Sequence, residues 1–213
     1  MKLFDEIPTM ENERLQVRKL NDADAEDLRN LAHSSAVYRY LPTFLAEQQD
    51  EDPHLVIQKL YTDYFQARES LILGIFLKDT KAFCGLAEFY GCRHALHKTC
   101  IGYRLAEPCW GQGIATETVA LMVDYLYTRT DTRVITASTM IENRASAHVL
   151  EKNGFLKIAV AVPEDWGYDR PVIADKWFRL PYAQIPGFFE KLQRAVSESA
   201  GLSGPAQGTS HIS

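Results

Sequence analysis

The segment "WGQGIATETVALMVDYL" (residues 110–126) places two glycines and an alanine at alternate positions, directly before an apolar run with helical character. The small residues are Gly111, Gly113 and Ala115. A helix start leaves backbone N–H groups unpaired and carries a partial positive charge. Glycine lets a ligand approach such groups closely. The segment therefore predicts either a tight strand-to-helix turn or a cradle for an anion such as a phosphate.

The same segment does not match the two most familiar phosphate-binding loops. It lacks the Lys-Ser/Thr pair of a P-loop, and its glycines do not follow the G-x-G-x-x-G spacing of dinucleotide sites. An NTPase or a Rossmann enzyme is therefore not supported.

Composition limits the class of protein. With 213 residues, 46% of them hydrophobic, one core is the default, and we expect a single domain over 1–200 with a disordered tail over 201–213. A net charge of -5 argues against a nucleic-acid partner. The chain has no apolar run of ~18 residues and its first residues lack a signal-peptide h-region, so we expect a cytoplasmic protein without a membrane partner.

One cluster could be interpreted as a metal site. Cys92, His94, His97 and Cys100 lie close together in the sequence. Their spacing matches no standard zinc pattern, however, and a polar hairpin tip flanked by strand cysteines explains them as well. We therefore expect no metal.

Periodicity and turn residues predict a chain in which hairpins and helical crossovers alternate. The predicted strands are 14–19, 71–77, 82–90, 99–105, 133–139, 155–160 and 173–180, and the predicted helices are 21–31, 53–67, 114–127, 143–154 and one opening at Pro181. Residues 34–50 are expected to be irregular. This order indicates a mixed α/β (α+β) domain with a largely antiparallel first half.

Two linked motifs carry a resemblance to a known family. "CIGYRLAEPCWGQGIATE" (100–117) and "ENRASAHVLEKNGF" (142–155) lie one strand apart. Together they resemble the GNAT superfamily of acetyl-CoA-dependent N-acetyltransferases, in the branch related to ribosomal-protein N-acetyltransferases. The resemblance is strongest over 82–180, and "ENERLQVRKL" (11–20) is similar to the opening of that branch. It implies a central sheet with helices on both faces, splayed between the strands near 99–105 and 133–139.

The resemblance also implies where the co-substrate acetyl-CoA binds. In the family pattern Arg/Gln-x-x-Gly-x-Gly/Ala, Trp110 holds the first place, a departure that is familiar in this branch. Gly113 holds the fourth place and Ala115 the sixth. The pantetheine arm would pair with the main chain near Leu105. The pyrophosphate would rest on backbone amides of Gly111, Gln112, Gly113, Ile114, Ala115 and Thr116.

Candidate catalytic residues come from the second motif and from one strand. Many superfamily members use a tyrosine as the acid, at a position where this chain has Leu150. Ser146 matches the serine of the Asn-x-x-Ser motif and would hydrogen-bond the coenzyme A sulfur, although it could also only support the helix start. Asn143 would contact the pantetheine, which is compatible with a plain N-cap role. The resemblance places the loop of Trp166 and Tyr168 near the acceptor, whereas packing across its hairpin is the alternative.

The base is left open by the sequence. Glu88 is the best candidate because strand alternation can aim it at the cleft, but it could also be an exposed strand glutamate. Glu142 and a water relay are alternatives. With Asp165 and Asp169, these carboxylates would favour a cationic acceptor amine.

The acceptor would be a small molecule or a protein N-terminus, and the protein a monomer or homodimer. The alternative function is a catalytically weak acyl-CoA-binding sensor or interaction module.

Overall fold

An eight-stranded mixed sheet forms the centre of the chain in the computed structural model, which describes residues 2–181. Its strands lie in the order β1-β2-β3-β4-β5-β6-β8-β7. All neighbouring pairs are antiparallel except β5 and β6, which are parallel. The strands are β1 (Met10–Glu11), β2 (Leu15–Arg18), β3 (Ser70–Leu77), β4 (Phe83–Arg93), β5 (Lys98–Leu105), β6 (Val134–Met140), β7 (Leu156–Glu164) and β8 (Val172–Arg179).

The helices begin where short polar side chains satisfy the first backbone N–H groups. Asn21 accepts from the amide of Ala23 and starts a 3₁₀ turn that leads into the first helix. Asp52 and Asn143 cap two later helices in the same way. The helices are α1 (Ala25–Ala32), α2 (Ser35–Tyr38), α3 (Pro53–Lys59), α4 (Ile114–Arg129) and α5 (Arg144–Lys152).

Helices cover both faces of the sheet, and a cluster of buried apolar side chains lies on each face. Helices α4 and α5 cover one face through a cluster that includes Phe89, Ile101, Val119, Met122 and Leu150. Helices α1 and α3 cover the other face through a cluster that includes Leu20, Leu28, Leu60, Ile72 and Leu86. Complete burial of such a side chain contributes about 1.5–3 kcal/mol. The predicted mixed sheet with helices on both faces is confirmed.

The two halves of the sheet meet along only part of their length. Strands β5 and β6 pair at three positions, from Lys98 opposite Val134 to Cys100 opposite Thr136. Beyond these pairs, both strands continue without pairing to each other, to Leu105 and Met140 respectively. The sheet is therefore split at this point, as predicted, and the split forms a gap that opens toward the carboxyl ends of both strands.

Several boundaries differ from the predicted ones. The two-residue strand β1 and the short helix α2 were not predicted, because elements of that length carry no periodicity. The helix predicted over 53–67 ends its α-helical part at Lys59 and continues as a π-helical turn over Leu60–Tyr64. Strand β7 extends to Glu164 through residues with an irregular register.

The helix expected to open at Pro181 and the tail over 201–213 lie outside the described residues. Within residues 2–181, none of the helices combines the length and apolar character that crossing a membrane requires.

Candidate active site

The start of α4 has the backbone form of an anion cradle. Gly111 and Gly113 both have left-handed φ angles, of 71° and 80°, which other residues rarely adopt. A Cβ atom built on Gly111 would meet nothing within 4 Å, and one on Gly113 would meet only Glu117 Oε1, at 3.9 Å. Gly113 is the N-cap of α4 and provides no side chain to cap it. The amides of Ile114, Ala115 and Thr116 can therefore donate hydrogen bonds to an anionic ligand.

Contacts from the turn between β1 and β2, and one contact within the loop itself, hold this cradle in place. The Arg14 guanidinium donates to the Gln112 carbonyl at 2.8 Å and to Glu117 Oε1 at 2.9 Å. The Gln112 side chain donates to the Pro108 carbonyl at 2.6 Å. Asn12 donates to the second oxygen of Glu117 at 3.1 Å. These bonds fix the loop before any ligand arrives, so its amides are preorganised.

Within the cradle, the side chains of the predicted residues have different surroundings. Ile114 is buried in the core on the α4 face, and Ala115 packs against that core. The Thr116 carbonyl accepts from Asn153 at the end of α5, at 3.2 Å. The cradle is therefore continuous with the two helices that flank the gap on this face.

Main-chain groups of β5 line the gap. Ala106 N–H donates to the Cys84 carbonyl in β4, so alternation turns the N–H and C=O groups of Tyr103 and Leu105 away from β4 and toward the gap. The Leu105 carbonyl accepts from the Trp110 indole at 2.7 Å. Trp110 thus links the cradle to the end of β5, while the residue remains 47% exposed.

Ser146 lies at the start of α5 and faces a residue that the sequence analysis missed. Its amide donates to Asn143 Oδ1 at 3.1 Å, which is the predicted N-cap geometry. Its hydroxyl accepts a hydrogen bond of 3.2 Å from the Tyr103 hydroxyl. Burial raises the pKa of Tyr103 to about 12, although the bond to Ser146 acts in the opposite direction. Alternation along β5 could have identified Tyr103, because it lies between Ile101 and Leu105 on the same face.

Glu88 lies on the opposite face of the sheet, in an ionic cluster. Its carboxylate accepts from Ser70 Oγ at 2.7 Å and from the Arg104 guanidinium at 2.8 Å. Its register partner in β5 is Gly102, so no side chain of that residue separates the carboxylate from the gap. The Glu88 side chain is 12% exposed, and is thus not the exposed strand glutamate considered above.

Arg104 binds a second carboxylate, which the sequence analysis also missed. Glu47, in a 3₁₀ turn over Ala46–Gln48, forms an ion pair with the guanidinium and accepts from the Tyr38 hydroxyl at 2.7 Å. Burial alone would lower the pKa of Arg104, but the carboxylates of Glu47 and Glu88 outweigh it and raise that pKa. Two carboxylates thus surround one permanently charged guanidinium, and the cluster of Glu47, Glu88 and Arg104 carries a net negative charge.

Glu142 follows β6 in a turn and is exposed. The structure places it beyond the strand end, on the other side of the gap from Glu88. Asp165 and Asp169 are also exposed, and Asp165 accepts from the amide of Gly167 within its own turn.

The loop between β7 and β8 contacts the segment 41–44. The Thr43 amide donates to the Trp166 carbonyl at 2.9 Å, and the Tyr168 hydroxyl donates to the Leu41 carbonyl at 2.7 Å. Because β7 and β8 lie beyond the gap and the segment 41–44 follows α2, this contact joins the two halves of the sheet. The loop thus contacts the helical layer, in addition to any packing across its own hairpin.

Of the four residues considered as a metal site, Cys92 and His94 contact each other, whereas His97 and Cys100 contact other residues. Cys100 Sγ lies 3.0 Å from Thr136 Oγ1, and His97 Nδ1 lies 3.0 Å from the Asp131 carbonyl. Cys92 contacts His94 at 3.7 Å. Across residues 2–181, no group of three or more His, Cys, Asp or Glu side chains is arranged to hold a metal ion.

Comparison with known proteins agrees with the family resemblance of the two sequence motifs, and it covers most of the chain. The sequence model described as "Acetyltransferase (GNAT) domain" matches residues 14–156. A curated relative, "Probable N-acetyltransferase YjcK" of Bacillus subtilis (strain 168), is 31% identical over 157 residues, which cover 71% of this chain and 86% of the relative.

Solved structures share the fold at lower identity. Spermidine N-acetyltransferase from Vibrio cholerae, in complex with CoA and spermine, has a TM-score of 0.66 at 19% identity and covers 79% of this chain and 96% of its own. RimL, a ribosomal L7/L12 alpha-N-protein acetyltransferase, has a TM-score of 0.69 at 17% identity and covers 82% of this chain and 94% of its own.

Proposed function

The chain belongs to the GNAT family of acetyl-CoA-dependent acyltransferases, and on that premise we propose that it acetylates a primary amine by direct attack within a ternary complex. One observation carries the proposal. A single gap in the sheet has an anion cradle at one face and a carboxylate cluster at the other. A donor and an acceptor can therefore reach the same opening from opposite faces.

The cradle residues fit the co-substrate. Acetyl-CoA supplies the thioester from which the acetyl group is transferred. The open space in front of Gly111 and the uncapped amides of Ile114, Ala115 and Thr116 suit its pyrophosphate. The gap-facing main chain of Tyr103 and Leu105 suits its amide-bearing arm.

We assign proton handling to the two faces separately. Glu88 lies on the sheet face to which we assign the acceptor, called the acceptor face below. There it attracts the ammonium group and accepts a proton from it, directly or through water. Ser146, on the cradle face, holds a hydroxyl proton for the departing sulfur. Glu142 remains the rival base. Because it lies in an exposed turn, water screens its attraction for the ammonium group more than it screens that of Glu88.

The proposed acceptor is a cationic amine, either a small molecule or a peptide N-terminus. The net negative cluster of Glu47, Glu88 and Arg104 supports this choice because it favours a positive ligand. The structural relatives that are named for spermidine and for a ribosomal protein N-terminus represent the two options. We further propose that residues 1–200 act as one catalytic domain.

The second candidate is an acyl-CoA-binding sensor without useful turnover. It is favoured by the two hydrogen bonds that Glu88 accepts from Ser70 and Arg104, because they reduce its freedom to act as a base.

Measurement of coenzyme A release with an amine panel tests both candidates. The panel contains peptides with different N-termini, polyamines, aminoglycosides and anionic amino sugars. Release with a cationic amine supports the enzyme. Binding of acetyl-CoA without release for any amine supports the sensor, and absence of acetyl-CoA binding contradicts both.

A further inference from the structure

We propose that Tyr103 is a positioning residue that directs the hydroxyl proton of Ser146 toward the sulfur of coenzyme A. The proposal deepens the proposed function and rests on it. It follows from one contact, the hydrogen bond that the Tyr103 hydroxyl donates to Ser146 Oγ over 3.2 Å.

The contact determines where the Ser146 proton can point. A serine hydroxyl has one proton and two acceptor positions. With one acceptor position filled by Tyr103, the Ser146 proton must point away from the phenol. The backbone of Ser146 is fixed as well, because its amide donates to Asn143 Oδ1. The phenol and the cap together restrict a group that would otherwise rotate freely.

The hydrogen bond between Tyr103 and Ser146 spans the gap in the sheet. Tyr103 lies in the part of β5 beyond Cys100, where β5 and β6 no longer pair. Ser146 lies on α5, which follows β6. The hydrogen bond therefore crosses from one half of the sheet to the other, at the place where the gap is open.

The phenol remains a donor through the working range of pH. Burial raises its pKa to about 12, so Tyr103 stays protonated at pH 9. By holding the Ser146 hydroxyl in place, Tyr103 can therefore help to stabilise a negatively charged sulfur. No proton has to leave Tyr103 for this role.

The test compares the binding of coenzyme A with that of desulfo-coenzyme A, which lacks the sulfur. Calorimetry at pH 9, where part of the thiol is ionised, measures the ratio of the two dissociation constants. A hydrogen bond to a charged group should favour coenzyme A about tenfold in the wild type. Tyr103→Phe should reduce this preference to less than about threefold, because the Ser146 proton is no longer directed.

The matched control is Tyr127→Phe. The Tyr127 hydroxyl donates to the Arg179 carbonyl at 2.7 Å, so its loss also removes one tyrosine hydrogen bond. This variant should keep the wild-type preference. If Tyr103→Phe does not fold, Tyr103→Met fills the same space without a donor, and thermal unfolding identifies a folded variant.

Kinetics provide a second readout. Tyr103→Phe should lower kcat about five- to fiftyfold with little change in the KM for acetyl-CoA. Combined with Ser146→Ala, it should lower kcat no further than Ser146→Ala alone. The proposal would be overturned if the wild type showed no preference for coenzyme A over desulfo-coenzyme A, or if Tyr103→Phe kept that preference. It would also be overturned if the effects of the two substitutions on kcat multiplied in the double variant. Failure of the proposed function would differ, since the wild type would then release no coenzyme A with any amine.

Discussion

The amide of Thr43 and the carbonyl of Trp166 are joined by a hydrogen bond of 2.9 Å. The two residues lie 123 positions apart, on opposite sides of the gap. Gly167 makes the contact possible, because a Cβ atom at that position would lie 2.2 Å from Thr43 Oγ1.

We therefore expect Gly167→Ala to push the loop away from the segment 41–44. The KM for the acceptor should rise about tenfold, because the displaced loop no longer helps to position the acceptor beside the gap. Coenzyme A affinity should not change. Gly154→Ala is the matched control, because Gly154 has a similar φ of 73° at the far end of α5. An unchanged acceptor KM in Gly167→Ala would show that the loop does not shape the acceptor site.

Gly113→Val tests the cradle. Saturating coenzyme A should stabilise the wild type by about 2–3 kcal/mol at a hundred times its dissociation constant. The valine side chain projects into the open space before α4, so most of that stabilisation should disappear. Thermal unfolding with and without coenzyme A measures both values, and Gly154→Val corrects for backbone strain. A wild type that coenzyme A does not stabilise, or a variant with an undiminished shift, argues against the cradle.

Ser146→Ala tests the proton donor. The variant keeps the amide that bonds to Asn143, so the helix cap should remain intact. We expect kcat to fall roughly ten- to a thousandfold with coenzyme A affinity little changed. Steady-state kinetics and calorimetry give the two quantities. A wild-type kcat would leave Ser146 with the capping role alone.

Glu88→Gln tests the base and the charge of the acceptor face. We expect kcat/KM to fall about a hundredfold and the rate of the wild type to rise with pH through the ionisation of the amine or its base. Rate profiles over pH 6–9 measure both effects. Glu142→Gln, the same change in the exposed turn, should retain most activity. The opposite ranking of the two variants would transfer the base role to Glu142.

Arg104→Met tests the ionic cluster. Removal of the guanidinium leaves Glu47 and Glu88 buried without compensation, which should cost about 3–5 kcal/mol of the free energy of unfolding at pH 7. The carboxylates of Glu47 and Glu88 raise the pKa of Arg104 above its usual value, so its stabilising contribution is complete below the unfolded-state pKa and constant over pH 5–9.

Denaturant unfolding at pH 7 measures this loss of stability. The double variant Arg104→Met/Glu47→Leu should recover part of it, because one buried charge is removed. A double variant that is as unstable as Arg104→Met alone would contradict the assigned origin.

Local patterns predicted the elements that carry strong periodicity, and the resemblance predicted the split between β5 and β6. They could not predict Glu47, because a glutamate in an irregular segment looks exposed until its partner is known. That partner, Arg104, is 57 positions away. The same reason applies to Gly167, whose small size matters only because Thr43 lies beside it. Glu88 was identified as a candidate, but its bonds to Ser70 and Arg104 depend on strand register.

The alternation along β5 divides its amides into two populations with different protection from hydrogen exchange. The N–H groups of Gly102 and Arg104 point toward β4 and should exchange slowly, whereas those of Tyr103 and Leu105 face the gap and should exchange quickly. A ligand whose own amides pair along this edge would slow only the second set. The amides of Tyr103 and Leu105 would thus report whether the gap is occupied, and those of Gly102 and Arg104 would provide the internal reference.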